Sequence, residues 1–297
     1  MRLKNFIISI LIIFPGLIYG QDQHIALAIN QPDTARPTYI NISFGGSYID
    51  FRDFATSPIF YKGLTGNLAA YRHVSGTRRE STQGFQIGYG EASIKNSSHS
   101  SNSTVSFLEI IHTELYQLPV SLPELWNLKA GGTVSLTGNI RNNPDFNNNS
   151  FGVEGIGTLF GSLKISRDIS RYRHKTWDLK LFEMNFIPRK RTLAWQMDIA
   201  LVNSTFRNGY AYFQHAAIQN NDKIFDMYEF HVFRGYRLKS SLEYNIFLNN
   251  NNALRFSYIW DAYHTGKDYE KLEMAKHYLM FSFLYSLNEP IKKPDAK

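Results

Sequence analysis

Three observations predict an all-β fold, a single up-and-down antiparallel transmembrane β-barrel of about 12 strands, with 10 to 14 as the range. Apolar and polar residues alternate with period two over seven runs of nine to thirteen residues. Aromatic residues make up 15% of the chain, yet its mean hydropathy is negative, as expected of a wall that is apolar on one side only and girdled by rings. Beyond residue 20 no apolar stretch reaches the ~18 residues from which a spanning helix is read.

In chain order, the first element is a processing signal over 1–20. Arg2 and Lys4 start it, Phe6 to Phe14 is an apolar core containing one Ser, and Ile18-Tyr19-Gly20 ends on a small residue. Pro15-Gly16 interrupts the stretch before it could span as a helix. A loose leader over 21–37, holding Pro32 and Pro37, precedes a barrel over 38–287, and 288–297 reads as a polar tail.

The first strong run is Tyr39 to Tyr48, with Ile40, Ile42 and Phe44 against Asn41, Ser43 and Ser47. Gln83 to Glu91 follows, with Phe85, Ile87 and Tyr89 against Gly and Gln. From Trp126 to Leu136 the even positions are Trp126, Leu128, Ala130, Gly132, Val134 and Leu136, against Asn127, Lys129, Thr133 and Ser135. Leu193 to Leu201 places Leu193, Trp195, Met197, Ile199 and Leu201 together. Tyr236 to Leu248 opposes Tyr236, Leu238, Leu242, Tyr244 and Ile246 to Arg237, Lys239, Ser241, Glu243 and Asn245, with Ser240 and Phe247 out of phase. Residues 253–264 set Leu254, Phe256, Tyr258 and Trp260 against Arg255, Ser257 and Asp261. The last, 275–287, sets Leu279, Phe281, Phe283, Tyr285 and Leu287 against Ser282 and Ser286.

Weaker runs at 63–73, 104–116, 152–167, 175–186 and 223–234 complete the twelve. In 175–186 the phase slips between Leu181 and Phe182, which reads as a bulge. Asn- and Ser-rich connections lie at 96–103, 139–150 and 249–252. Counting from a periplasmic N-terminus puts the long segment 204–222 on the periplasmic side, where short turns are expected. Gly45-Gly46 and Gly131-Gly132 read as positions where the wall bends or a neighbour intrudes.

A soluble barrel has the same period with its faces reversed. Three features favour the membrane form. The polar faces are rich in Gly, Ser and charges of both signs; Trp126, Tyr236, Trp260 and Tyr285 sit near strand termini, where a headgroup girdle is expected; and the runs outnumber those of a small soluble barrel.

With these residues in place, the chain resembles the outer-membrane β-barrel proteins of Gram-negative bacteria as a class. The carriers are the signal, the absent Cys, the amphipathic strands through most of 38–287 and the aromatic last strand with Leu279, Phe281, Phe283 and Tyr285. This resemblance implies a place in the cell outer membrane, contact with its lipids, and a barrel-insertion machinery that reads the last strand. The ten-residue tail departs from the strictest form, in which a ring ends the chain.

Absence of cysteine removes disulfides, thiolate nucleophiles and Cys-based metal sites. Of the formal charge of +7, Arg2 and Lys4 belong to the signal. The remaining basic residues read as scattered, which fits a solvated or headgroup-facing surface and excludes nucleic acid as a partner. Neither a helical His-Glu-x-x-His motif nor a zinc or phosphate-loop pattern occurs, so no cofactor or metal is expected.

Barrel-type lipid hydrolases carry a His-x-Ser pair. Two occur here, His73-Val74-Ser75 and His99-Ser100-Ser101; both read as solvated loop residues, so no catalytic residue is assigned. The pairs Glu229/His231 and His112/Glu114 each share a strand face and read as polar pairs pointing into the lumen. One functional lead remains, a lumen charge network in which Arg237, Lys239 and Arg255 oppose Glu243 and Asp261 across neighbouring strands, sealing the interior or lining a narrow polar path. The expected function is a non-enzymatic integral outer-membrane barrel with a structural or narrow-channel role. A barrel lipid hydrolase and a soluble periplasmic ligand binder stay open as alternatives.

Overall fold

The computed structural model describes residues 36–96, 99–145, 150–173, 175–179, 182–208, 228–266 and 271–288. The expected signal, nearly all of the leader and tail, and most of segment 204–222 lie outside them. The described residues form thirteen strands: β1 Thr38–Asp53, β2 Ser57–Ser75, β3 Arg79–Asn96, β4 His99–Gln117, β5 Trp126–Asn142, β6 Phe151–Asp168, β7 Lys175–Leu179, β8 Phe182–Phe186, β9 Arg191–Asn208, β10 Tyr228–Val232, β11 Tyr236–Phe247, β12 Ala253–Thr265 and β13 Leu272–Ser286.

Ten positions form a closed antiparallel wall. Neighbours run β1 to β6, then β9, β11, β12 and β13, and β13 pairs back onto β1 with Tyr39 opposite Ser286. Closure leaves no long free edge for another chain to join. Thr38 and Ser286 lie at the same end of the wall, the terminal end; β1 finishes at the opposite, far end.

Two of the weak runs are not separate wall strands, which takes the wall from twelve to ten, still within the expected range. Residues 175–186 form the β7–β8 hairpin, with Leu179 opposite Phe182, so the phase slip read as a bulge is a chain reversal. The 223–234 run supplies β10, which pairs with Ser204–Asn208 of β9 on the edge that β11 occupies at Arg191–Ile199. β10 and β11 are therefore two pieces of one wall position, interrupted where Phe233 (φ 58°) and Gly235 (φ 83°) enter the left-handed region. Seven wall strands precede the end of β9, so the chain leaves Asn208 from the far end and returns there at Tyr228. Placing the long 204–222 connection with the termini was an error of one strand in the count.

Register fixes the barrel's dimensions. Cα partners lead from Ser204 through Gly157, Leu136, Ile110, Phe85, Ala70, Ile42, Phe283, Leu254 and Ile246 back to β9 at Arg191. That is a displacement of 13 positions, one of them the bulge residue Leu201, which is skipped between Phe160↔Ala200 and Leu159↔Val202. A stagger of 12 over ten strands gives a tilt of about 40° and a backbone radius of about 10 Å. At that radius long inward side chains such as Arg reach near the axis, and Arg237 with Glu109, and Arg141 and Arg207 with Asp53, meet across the interior.

The two faces differ in kind. Outward positions include Ile42, Phe44, Leu64 (70% exposed), Leu68, Ile87, Leu136, Ile199, Phe256 and Leu279 (70%), all uncovered by protein. Apolar surface of this extent is not left to water by a monomeric soluble protein; it is the outer surface of a membrane-spanning barrel. Inward positions alternate with them and hold Asn41, Ser43, Ser47, Thr65, Asn67, Thr133, Ser135 and the charges described below, all buried. Both out-of-phase residues of β11 have partners: Ser240 accepts from the Trp195 indole on the outside (2.9 Å), and Phe247 packs inward against Tyr39, Ala253 and Leu284.

Apolar side chains close the far end from within. Ile49, Phe51, Tyr61, Val105, Ile156, Tyr263, Leu272 and Met274 form one buried cluster, with Phe51 and Tyr61 stacked at 5.1 Å. In mid-barrel Phe107 lies over Gly88, where an added Cβ would sit 2.2 Å from the ring. At Gly45 and Gly131 an added Cβ would meet neighbouring backbone, 2.1 Å from Leu279 O and 2.0 Å from Glu114 O.

A charged interior as the candidate functional site

Strands β5 and β6 set out the interior along its length. Inward positions have odd numbers on β5 and even numbers on β6, so Lys129 and Lys164 face inward near the terminal end, Ser135 and Phe160 in the middle, and Arg141 and Glu154 near the far end. Each level carries its own group of ion pairs.

Near the terminal end Glu80 accepts from Lys129 (2.9 Å) and Lys164 (2.6 Å), and Lys164 also reaches Glu243 (3.1 Å). Glu243 in turn pairs with Arg255 (3.2 Å), whose Nε donates to Asn245 Oδ1 (2.7 Å). Such a chain of alternating charges leaves each carboxylate with a cation on either side, the arrangement that offsets the cost of taking them out of water.

In the middle stands Arg237, 1% exposed. Its Nε and Nη2 donate to the two oxygens of Asp261 (2.9 and 2.6 Å), Nη2 also donates to Glu109 (3.0 Å), and Nη1 donates to Ser135 (3.2 Å) and Thr137 (2.9 Å). These bonds match the five N–H donors a guanidinium has. Phe160 and Tyr263 flank the group at 5.7 and 5.3 Å. Lys239 supplies a second cation to Glu109 (3.1 Å), and Lys276 lies over the Phe107 ring at 3.6 Å.

At the far end Asp53 accepts from Arg141 (2.6 Å) and Arg207 (2.8 Å), Arg141 also bonds Glu154, and Arg207 reaches Thr265 (3.1 Å). Between the middle and terminal groups a cavity of about 110 Å³ remains, bordered by Lys164, Asp198, Lys239, Glu243 and Arg255 among polar neighbours. It has room for a few waters and not for a sizeable solute.

All five residues singled out from the sequence face inward. Arg237 meets Asp261, and Arg255 meets Glu243, each across the β11–β12 ladder. Lys239 instead reaches Glu109 on β4, on another part of the wall. Glu80, Glu109, Lys129, Arg141, Glu154, Lys164 and Arg207 share the interior and had no place in the sequence-derived set. A signal existed for several: Glu109 falls in the phase opposite to Leu108 and Ile110, and Arg141 in the phase opposite to Ile140.

Three local readings are corrected. His73 is no loop residue: it is buried in β2, faces inward, and its Nδ1 lies 2.8 Å from Thr82 Oγ1. Residues His99 to Ser101 open β4 instead of forming a loop. The His112/Glu114 pair (3.7 Å) faces outward, with Glu114 also held by Arg79 at 2.9 Å, because even positions of β4 carry the lipid-side residues Leu108 and Ile110. Glu229 and His231 meet, at 2.9 Å, on the face that Arg207 shares, with Glu229 opposite Arg207 and His231 opposite Thr205.

No protein-family model matches the chain, and no curated protein matches it in sequence. Among solved structures it is similar to the translocator domain of the autotransporter NalP from Neisseria meningitidis, at 6% identity and TM-score 0.33, over 85% of this chain and 89% of that one. An outer membrane channel from Pseudomonas putida F1 is similar at 10% identity and TM-score 0.30, over 89% and 100%. The transport unit of the autotransporter AIDA-I from Escherichia coli is similar at 9% identity and TM-score 0.35, over 88% and 94%.

Proposed function

We propose that this chain is a non-enzymatic integral protein of the bacterial outer membrane whose interior is sealed, so that its role is structural and it does not conduct in the resting state. The single observation that carries the reading is Arg237, 1% exposed and shared between Asp261 on the neighbouring strand and Glu109 on β4. A guanidinium whose donors are all used by side chains from different parts of the wall ties that wall together across its own axis. The far-end cluster around Phe51 and Tyr61 adds an apolar stopper beyond it.

Outward Ile, Leu, Phe and Tyr faces support lipid as the surroundings. The outward residues Leu279, Phe281, Phe283 and Tyr285 of β13 support this strand as the segment read by an insertion machinery, with the terminal end then facing the periplasm. Against a hydrolase stands the packing of His73, whose ring is buried in the lumen wall away from lipid.

The test is conductance across planar bilayers containing the heat-modifiable folded protein. Wild type is expected to give no steady current at moderate voltage. Stable single-channel steps in the wild type would replace the sealed barrel by the narrow channel.

A further inference from the structure

We propose that the terminal-end rim of β6 and β9 is a binding surface for anionic phospholipid headgroups in the leaflet at that end. It rests on the membrane reading above and concerns a sector of the wall that the sealed lumen does not use.

Positive charge is less scattered than the bare sequence reading held. Residues 167–191 contain eight Lys or Arg against three Asp or Glu, a surplus of five in a chain whose whole formal charge is +7. The β6–β9 ladder continues past Asp168↔Thr192 without a shift: Ile169 N donates to Arg191 O (3.0 Å), and Arg171 and Arg189 exchange backbone bonds at 3.1 and 3.0 Å. Period two then puts Arg167, Arg171, Arg189 and Arg191 on one face, the lipid-side face of Leu163, Leu193 and Trp195. Four guanidiniums stand where the apolar belt ends.

The setting marks headgroups as the occupant and not an acidic soluble protein. Arg167 lies 5.1 Å over the Trp126 ring, opposite it on β5, and the same row runs through Leu193 to Tyr244. Rings and aliphatic side chains interleaved with cations suit the depth at which acyl chains give way to phosphates. Exposed Ile187, in phase with Arg189 and Arg191, extends that mixture.

A cation near an anionic bilayer surface changes affinity roughly five-fold. The experiment titrates the full chain, folded in a neutral detergent, with fluorescent phosphatidylglycerol and with fluorescent phosphatidylcholine. Wild type is expected to prefer phosphatidylglycerol at least tenfold. The triple variant Arg171→Gln/Arg189→Gln/Arg191→Gln should lose at least tenfold of that preference, the corresponding Arg→Lys triple should keep it, and Lys62→Gln/Lys271→Gln should leave it unchanged. Folding of each is checked by the heat-dependent gel shift. Equal affinity for the two lipids in wild type, or a preference that survives the Gln triple, overturns the proposal. So does competition by soluble polyglutamate as strong as that by phosphatidylglycerol, which would make the surface one for acidic polymers. Failure of the membrane reading is separately visible as release of the protein without detergent.

Discussion

Truncating Arg237 to Ala removes a cation that holds Asp261 by two bonds and Glu109 by one, and strips Ser135 and Thr137 of a donor. The two acids are affected unequally. Glu109 keeps Lys239 at 3.1 Å and Ser135 at 2.7 Å, whereas Asp261, 1% exposed, loses the guanidinium that bonds both of its oxygens. Breaking a buried pair from one side costs about 3–5 kcal/mol, and that is the expected loss for Arg237→Ala. Lys239→Ala takes away only one of Glu109's two cations from a partly accessible side chain, and about 1 kcal/mol is expected. Replacing Arg237 by Met together with Asp261 by Leu and Lys276, the buried cation opposite Asp261, by Met leaves no orphaned charge there and should recover most of the loss. Urea unfolding in vesicles, followed by tryptophan fluorescence and the heat-dependent gel shift, measures all three. A loss below about 1 kcal/mol for Arg237→Ala would mean that water reaches the guanidinium and that the interior is not sealed at this level.

Further substitutions test other parts of the wall. Phe44→Arg, at the middle of the outward run Ile40 to Tyr48 and packed on Phe281 at 5.3 Å, should cost about 2–4 kcal/mol in the same vesicle assay. Gly88→Leu drives a side chain into Phe107; about 1–3 kcal/mol of destabilisation by overpacking is expected, and no loss would place the ring elsewhere. Tyr263→Phe removes the hydroxyl that accepts from Asn139 Nδ2 (3.0 Å) and faces Met274 Sδ (2.9 Å); about 1 kcal/mol is expected from urea midpoints.

The strands legible in the sequence are those whose inward faces are polar. β1, β3, β5 and β11 read clearly because Asn41, Gln86, Ser135 and Arg237 oppose aliphatic and aromatic outward residues. β4 and β6 read weakly because both faces are apolar in part: Val105, Phe107 and Leu115 point inward beside outward Leu108 and Ile110, and Ile156 and Phe160 do so beside Leu159 and Leu163. Period alone sends every ring to the lipid, so the internal stopper of Ile49, Phe51 and Tyr61 was invisible. Ten wall positions, at the low end of the expected 10 to 14, follow from connectivity that local pattern does not reveal: 175–186 has strand character in a hairpin outside the wall, and β10 and β11 share one wall position across the break at Phe233 and Gly235. Of the interior charges, sequence pointed to β11 and β12, where Lys239 lies directly opposite Asp261 and Arg237 reaches the same carboxylate diagonally, two positions along the ladder. Glu109 and Arg141 pair with residues distant in sequence, at 3.0 Å to Arg237 and 2.6 Å to Asp53, and only closure of the sheet brings them together.

Everything turns on which face of the wall meets acyl chains, and the chain's lack of cysteine makes that directly measurable. Single cysteines placed in turn at positions 279 to 284 of β13, spin-labelled and reconstituted in vesicles, report collision rates with apolar oxygen and with a water-soluble nickel chelate. Labels at Leu279, Phe281 and Phe283 should collide with oxygen and be shielded from nickel, while those at Met280, Ser282 and Leu284 should be poorly reached by either. Nickel reaching Leu279, Phe281 and Phe283 freely would put that face in water and contradict a membrane-spanning barrel.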